Sequence, residues 1–152
     1  MIDIIIIQDK NRKEDDIEKL LLLWEQSVKA THDFLPIQHI TSLIELVKKG
    51  LKEIDSLLVA QDKNNSMLGF MGIEKNKIEM LFIHPHYLGK GIGKQLVHYA
   101  FDLYDINYVD VNEQNKKALG FYKSLGFIVS DRSEFDGQGK PFPILHLKKF
   151  IE

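Results

Sequence analysis

The chain has no cysteine among its 152 residues. That excludes disulfides, cysteine-bound metal sites and any covalent step through a cysteine thiolate. Neither sign of charge dominates: 20 Lys and Arg stand against 22 Asp and Glu, a formal net charge of −2. Such a balance argues against a nucleic-acid module, which is usually basic. Long apolar runs are also missing. Ile4-Ile5-Ile6-Ile7 follows Asp3, is too short to span a bilayer and has no basic segment before it. It reads as a buried strand in a cytoplasmic protein. No repeat, linker or low-complexity tract interrupts the chain. A hydrophobic content of 44% and a charged content of 28% are globular values. One domain over residues 1–152 is expected, large enough to bury a core.

What is present is a regular succession of apolar patterns. Ile2 to Gln8 reads as a strand. From Glu14 to Ala30, Ile17, Leu20, Leu21, Trp24 and Val28 recur at helical spacing. Thr31 to Pro36 is a connector, and Ile37 to Lys49 a second helix with Gly50 as its stop. Strands follow at Ser56–Asp62, Met67–Glu74 and Lys77–Ile83, with turns at Asn64-Asn65-Ser66 and Lys75-Asn76. After a helix and a strand at Tyr108–Val111 comes a helix from Lys116 to Leu125, stopped by Gly126. Strands at Phe127–Phe135 and Ile144–Lys148 end the chain. The order β-αα-βββ-α-β-α-ββ predicts an α/β fold: a mixed, mostly antiparallel central sheet flanked by helices.

Leu88-Gly89-Lys90-Gly91-Ile92-Gly93 lies between a strand and a helix. Glycines let a loop approach a ligand, and a helix N-terminus presents unpaired N–H groups to anions. GxxxxGK[ST] does not fit, because Gln95 follows Lys94, and GxGxxG does not fit, because Lys94 takes the last glycine's place. Metal-free binding of a pyrophosphate by backbone N–H groups remains. The alternative is a glycine-rich turn that only joins strand to helix.

A second motif, Asn115-x-x-Ala118-x-x-Phe121-Tyr122-x-x-x-Gly126-Phe127, lies downstream. Together with Ile83-His84-Pro85 and the glycine loop, it resembles the GNAT N-acetyltransferases, which use acetyl-coenzyme A. The resemblance covers about the last two-thirds of the chain. The stretch Val111 to Asn115, with Gly139 to Pro143, looks most like the YjaB-type bacterial members. Leu88 departs from the pattern, standing where the family usually has Arg or Gln; Lys90 and Lys94 are the nearby cations.

The resemblance implies that the strand before the glycine loop and the strand at Tyr108–Val111 are parallel neighbours that splay apart. The backbone of Leu81, Phe82 and Ile83 would then meet the pantetheine amides like an added strand, while their side chains stay in the core. Leu88, Gly89, Lys90, Gly91, Ile92, Gly93 and Lys94 would hold the pyrophosphate. Asn112, Asn115, Ala118 and Tyr122 would complete the coenzyme site, and Asn115 also suits a helix N-cap.

The implied reaction moves an acetyl group directly from the thioester to a primary amine of a small molecule, peptide or protein. The attacking amine must be neutral, yet a lysine amine has a pKa of about 10.4, so a base is useful. The family tyrosine corresponds to Tyr122, as general acid to the departing thiolate; the other reading is a core aromatic. Glu79 matches a catalytic glutamate of many members, and alternation places it with Leu81 and Ile83; the other reading is a salt-bridged strand residue. His32, in the helix connector, is a rival base, and Glu134 a weaker one. Trp24, His32 and Phe34 are candidates for the acceptor site, though core packing explains the aromatics equally well. The six histidines show no pairing typical of a metal site, and no metal is expected. No membrane partner is expected, and a homodimer is left open. A non-catalytic acetyl-coenzyme A sensor with the same fold is the alternative function.

Overall fold

Where apolar side chains recur every second residue the chain extends, and where they recur every three or four it coils. The computed structural model describes residues 2–7 and 12–150. Within them the elements are β1 (Asp3–Ile7), α1 (Glu14–Thr31), α2 (Ile37–Glu53), β2 (Ser56–Gln61), β3 (Met67–Glu74), β4 (Lys77–Ile83), a 3-10 turn (Pro85–Tyr87), α3 (Ile92–Leu103), β5 (Tyr108–Asn112), α4 (Lys116–Ser124), β6 (Phe127–Ser133) and β7 (Ile144–Lys149). The order is the expected one. Gln8, the end of the expected first strand, lies outside the described residues.

The strands form one sheet in the order β1-β2-β3-β4-β5-β7-β6. All neighbours run antiparallel except β4 and β5. That parallel pairing covers two steps only, Lys77 with Tyr108 and Ile78 with Val109. Beyond it β4 stays paired to β3 as far as Ile83, and β5 to β7 as far as Asn112. The two strands therefore part like the prongs of a fork.

Each face of the sheet has its own core. On one, Leu20, Trp24 and Val28 of α1 and Ile40 and Leu51 of α2 pack with Leu57, Val59 and Phe70. On the other, Leu96, Val97 and Ala100 of α3 and Tyr122 of α4 pack with Leu58, Met71, Ile78, Val109, Val111 and Leu147. The α1–α2 core takes no residue from β5, β6 or β7, so that part of the sheet has a face without a helix over it among the described residues.

Two expected boundaries shift by more than one residue. β6 ends at Ser133 rather than Phe135, because Asp136 draws the chain into a turn by accepting from the N–H groups of Gln138 and Lys140, both at 2.9 Å. Gly50 does not stop α2, which runs on to Glu53. Leu51 is fully buried, and its burial in the α1–α2 core outweighs the low helix propensity of a single glycine. Arg12 then closes the end of α2, donating to the carbonyls of Leu51 (2.8 Å) and Ile54 (2.6 Å).

This sets a sign. A Cβ on Gly50 would meet only Met80 Cε, at an ordinary 3.9 Å. Gly50→Ala should therefore raise unfolding stability by about 0.5–1 kcal/mol, measured by urea denaturation; a stop glycine would instead be destabilised by the change.

Candidate active site

The fork is the first element of the site. Past Ile78 the backbone groups of β4 that face β5 have no strand beside them among the described residues, and buried backbone groups require partners. The pairing of β3 with β4 shifts between Gly72 and Ile73, opposite Met80 and Ile78, which leaves Glu79 as the extra residue of a β-bulge at the base of the fork. The bulge breaks the alternation that placed Glu79 with Leu81 and Ile83. Those two pack in the α3–α4 core, whereas Glu79 lies 3.7 Å from Lys77, which bonds Asp110 at 2.8 Å. Phe82 packs on the opposite face with Phe70, so the Leu81 to Ile83 side chains belong to the two cores.

The second element is the loop from Leu88 to Lys94. Gly89 and Gly91 have φ of 75° and 83°, which disfavour any side chain, and a Cβ at either would point into open space. The first bond of α3 is Gln95 N–H to Gly91 O, at 3.0 Å. The N–H groups of Ile92, Gly93 and Lys94 before it have no helical partner. An open glycine loop leading into free N–H groups, beside unpaired strand backbone, fits the pyrophosphate and pantetheine amides of a coenzyme A thioester. Ile92 contributes backbone alone, for its side chain is buried. Gly93 has a packing duty as well: a Cβ there would come within 3.3 Å of Phe121 Cζ. Leu88 is 46% exposed, and Lys90 lies over the Tyr87 ring at 5.3 Å. A concavity of about 540 Å³ starts at Gly91 and Lys94 and follows α3 past His98 to Asp102. None of its lining residues comes from the fork.

The third element is the start of α4. Asn115 caps it, Oδ1 accepting from the Ala118 N–H at 3.1 Å. That bond orients the amide, so Nδ2 is the donor to His32 Nε2 at 3.3 Å. His32 must then carry its proton on Nδ1, which meets Thr31 Oγ1 at 2.8 Å, and the Thr31 hydroxyl donates to Ser27 O at 2.8 Å. Both ring nitrogens are engaged. Burial lowers the His32 pKa to about 4, against the opposing pull of Asp33. His32 is thus a neutral, fully bonded link between the α1–α2 connector and the cap of α4, with no lone pair left to act as a base. Asn112, at the end of β5, accepts from the Asn115 N–H at 2.9 Å. Tyr122 is 6% exposed, edge-on to Phe121 and Phe127. Burial pushes its phenol pKa well up, so it holds its proton at neutral pH.

The acetyltransferase (GNAT) domain profile matches residues 26–144. The chain is 43% identical to the peptidyl-lysine N-acetyltransferase YjaB of Salmonella typhimurium, over 94% of this chain and 98% of that protein. It is 40% identical to the protein of the same name from Escherichia coli, with 94% and 97% covered. The solution structure of apo-form Escherichia coli YjaB superposes with a TM-score of 0.86 at 38% identity, covering 100% of this chain and 99% of that one.

The chain belongs to the GNAT family.

It is an N-acetyltransferase with acetyl-coenzyme A as donor. Among the described residues of this GNAT enzyme, no helix is long and apolar enough to cross a membrane. Of the aromatics considered for the acceptor, Trp24 is 3% exposed and wholly part of the α1–α2 core. Phe34 is half-buried and lies 6.4 Å from Phe142, which is 4.8 Å from the His39 ring; His39 in turn reaches Asp136 at 3.4 Å. These contacts join the connector to the β6–β7 loop in one wall. Glu134 is exposed beyond the end of β6. The sequence reading missed a polar chain on the helix-free face: Lys77, Asp110, His146 and Ser133. Its one signal is the alternation of Val109-Asp110-Val111 and Leu145-His146-Leu147, which sets polar residues opposite the core; their meeting needs the β5–β7 register.

The depressed His32 pKa has a consequence for stability. The folded state keeps this ring neutral to about pH 4, while the unfolded chain protonates it near 6.5, so stability is full above 6.5 and falls as pH drops. Between pH 7 and 4.5 His32 should account for a loss of roughly 2–3 kcal/mol. Urea denaturation at both pH values, comparing wild type with His32→Gln, should show that share of the acid loss removed by the substitution.

Proposed function

We propose that this enzyme passes the acetyl group directly from acetyl-coenzyme A to the side-chain amine of a lysine in a peptide or protein, acting as a single cytoplasmic domain. The observation that carries the reading is the fork, opened at Ile78 and Val109 and flanked by the glycine loop and the cap of α4. Two relatives named as peptidyl-lysine N-acetyltransferases support the acceptor class. An open, helix-free sheet face beside the fork gives an extended substrate room to approach.

When bound, the coenzyme supplies an activated acetyl thioester. The backbone N–H groups at Gly89 to Lys94 hold its pyrophosphate, with Lys90 and Lys94 adding charge in place of the side chain that Leu88 lacks. Backbone of Leu81, Phe82 and Ile83 takes the pantetheine amides, and an N–H there meets the developing oxyanion. Asn112, Asn115 and Ala118 shape the wall on the α4 side. Tyr122, protonated because it is buried, donates to the leaving thiolate. Without a cysteine, no acyl-cysteine intermediate can form, and direct attack by the amine is the simplest route. Glu79, on the β4 prong, belongs to the side of the site that receives the amine proton, and Phe34 to the acceptor wall.

Tyr122→Phe should lower kcat by about 100-fold or more while changing acetyl-coenzyme A affinity less than threefold. Calorimetric titration and thiol release with a lysine peptide measure the two; equal losses would remove the acid role. Wild-type protein should bind acetyl-coenzyme A saturably and ATP not at all. Folded protein that binds neither would sink the reading.

A further inference from the structure

Ser133, His146 and Asp110 sit on β6, β7 and β5, which lie side by side in the sheet. Ser133 Oγ is 2.6 Å from His146 Nε2, and His146 Nδ1 is 2.7 Å from Asp110 Oδ1. Asp110 Oδ2 is held by Lys77 Nζ at 2.8 Å, so both carboxylate oxygens are engaged and the group cannot rotate freely. Burial disfavours the charge on Lys77, but the hydrogen bond and charge of Asp110, with Glu79, outweigh it and raise its pKa. A carboxylate only accepts, so His146 carries its proton on Nδ1. Nε2 is then a lone pair, and the Ser133 hydroxyl donates into it. This is the serine–histidine–aspartate arrangement in which a hydroxyl hands its proton to a correctly held imidazole.

Its place in the fold favours use over packing. His146 alternates with Leu145 and Leu147, which are core, and points to the helix-free face, as does Asp110 between Val109 and Val111. Asp110 is the first residue of β5 beyond its last pair with β4, and Lys77 reaches Glu79 on the other prong at 3.7 Å. The chain of bonds therefore runs from the base of the fork to the acceptor-side edge of the sheet. Ser130, at the shift in β6 pairing, donates to the His146 carbonyl at 3.0 Å and pins the backbone there.

We infer that His146 takes the proton of the acceptor amine by way of Ser133, with Asp110 as a positioning residue. The inference rests on the acetyl-transfer reading above. The lysine first gives one proton to solvent; the neutral amine nitrogen then bonds to the acetyl carbon and the carbon–sulfur bond breaks. The amine proton passes to Ser133 Oγ as the Ser133 proton passes to His146 Nε2, and the thiolate takes the Tyr122 proton. Solvent then removes the proton from His146 and restores that of Tyr122. Glu79, paired with Lys77, acts on this chain through its charge. The charged groups around His146 include Asp110 on β5, Lys77 and Glu79 on β4, Asp131, its partner on β6, and Lys148, two residues along β7 on the same face.

Two measurements test it. Nitrogen-15 NMR of the histidine rings in substrate-free protein at pH 7.5 should show His146 protonated on Nδ1, with the signal shifted in Asp110→Asn. A ring protonated on Nε2 would overturn the relay, because it could not take the Ser133 proton. With an Nα-acetylated lysine peptide as acceptor, His146→Gln should lower kcat about 100-fold and leave acetyl-coenzyme A affinity within twofold. Ser133→Ala should lower kcat about tenfold. A His146→Gln rate within twofold of wild type would overturn the relay. Should wild-type protein acetylate no lysine peptide, the acceptor reading falls instead, and the His146 tautomer alone decides the relay.

Discussion

A parallel pair of strands that lasts only two steps organises this molecule. Lys77 and Ile78 pair with Tyr108 and Val109, and then the strands separate although each remains fully laddered on its other side. A bulge at Glu79 adds local bend and twist where the separation begins. Each prong leads at its C-terminal end into a helix, β4 into α3 and β5 into α4. Two helix N-termini and a strip of unpaired strand backbone thus converge on one opening. Ligands of α/β sheets gather at such carboxyl ends, and here the opening is made by missing pairing rather than by side chains.

The two faces of the sheet divide the proposed labour. On the α3–α4 side, the core presses against Tyr122 and keeps its phenol neutral. On the other side, α1 and α2 stop short of β5, β7 and β6 and leave polar residues open to an incoming chain. His32 bridges the two halves. Its connector carries the acceptor wall through Phe34, and its ring meets the cap of α4 through Asn115. A shift of the connector would therefore be felt at the helix cap through one hydrogen bond.

Much of this was legible from the residues. Periodicity located the elements, usually to within a few residues, because apolar spacing reports directly on which face is buried. The glycine loop was legible because few other conformations demand Gly89 and Gly91 together. Gly50 misled because burial of Leu51, one residue on, outweighs a local propensity. Glu79 misled for a related reason: a bulge cancels the count by twos, and nothing local marks it. The Ser133, His146 and Asp110 chain depended on the register of three strands, which only tertiary structure sets. Trp24 could not be assigned between core and acceptor site without knowing which face of α1 meets the sheet.

Asn115 shows how a shared side chain narrows the choices open to a position. As a helix cap alone it could be Ser, Thr or Asp with little penalty. The second bond, to a histidine lone pair, requires a donor on the same side chain that accepts from the Ala118 N–H. A carboxylate offers no proton, and a hydroxyl is too short to span both partners in these fixed directions. Only a planar amide presents an acceptor and a donor diverging from one carbon. A cap with four interchangeable residues becomes, through one added contact, a position with a single suitable letter.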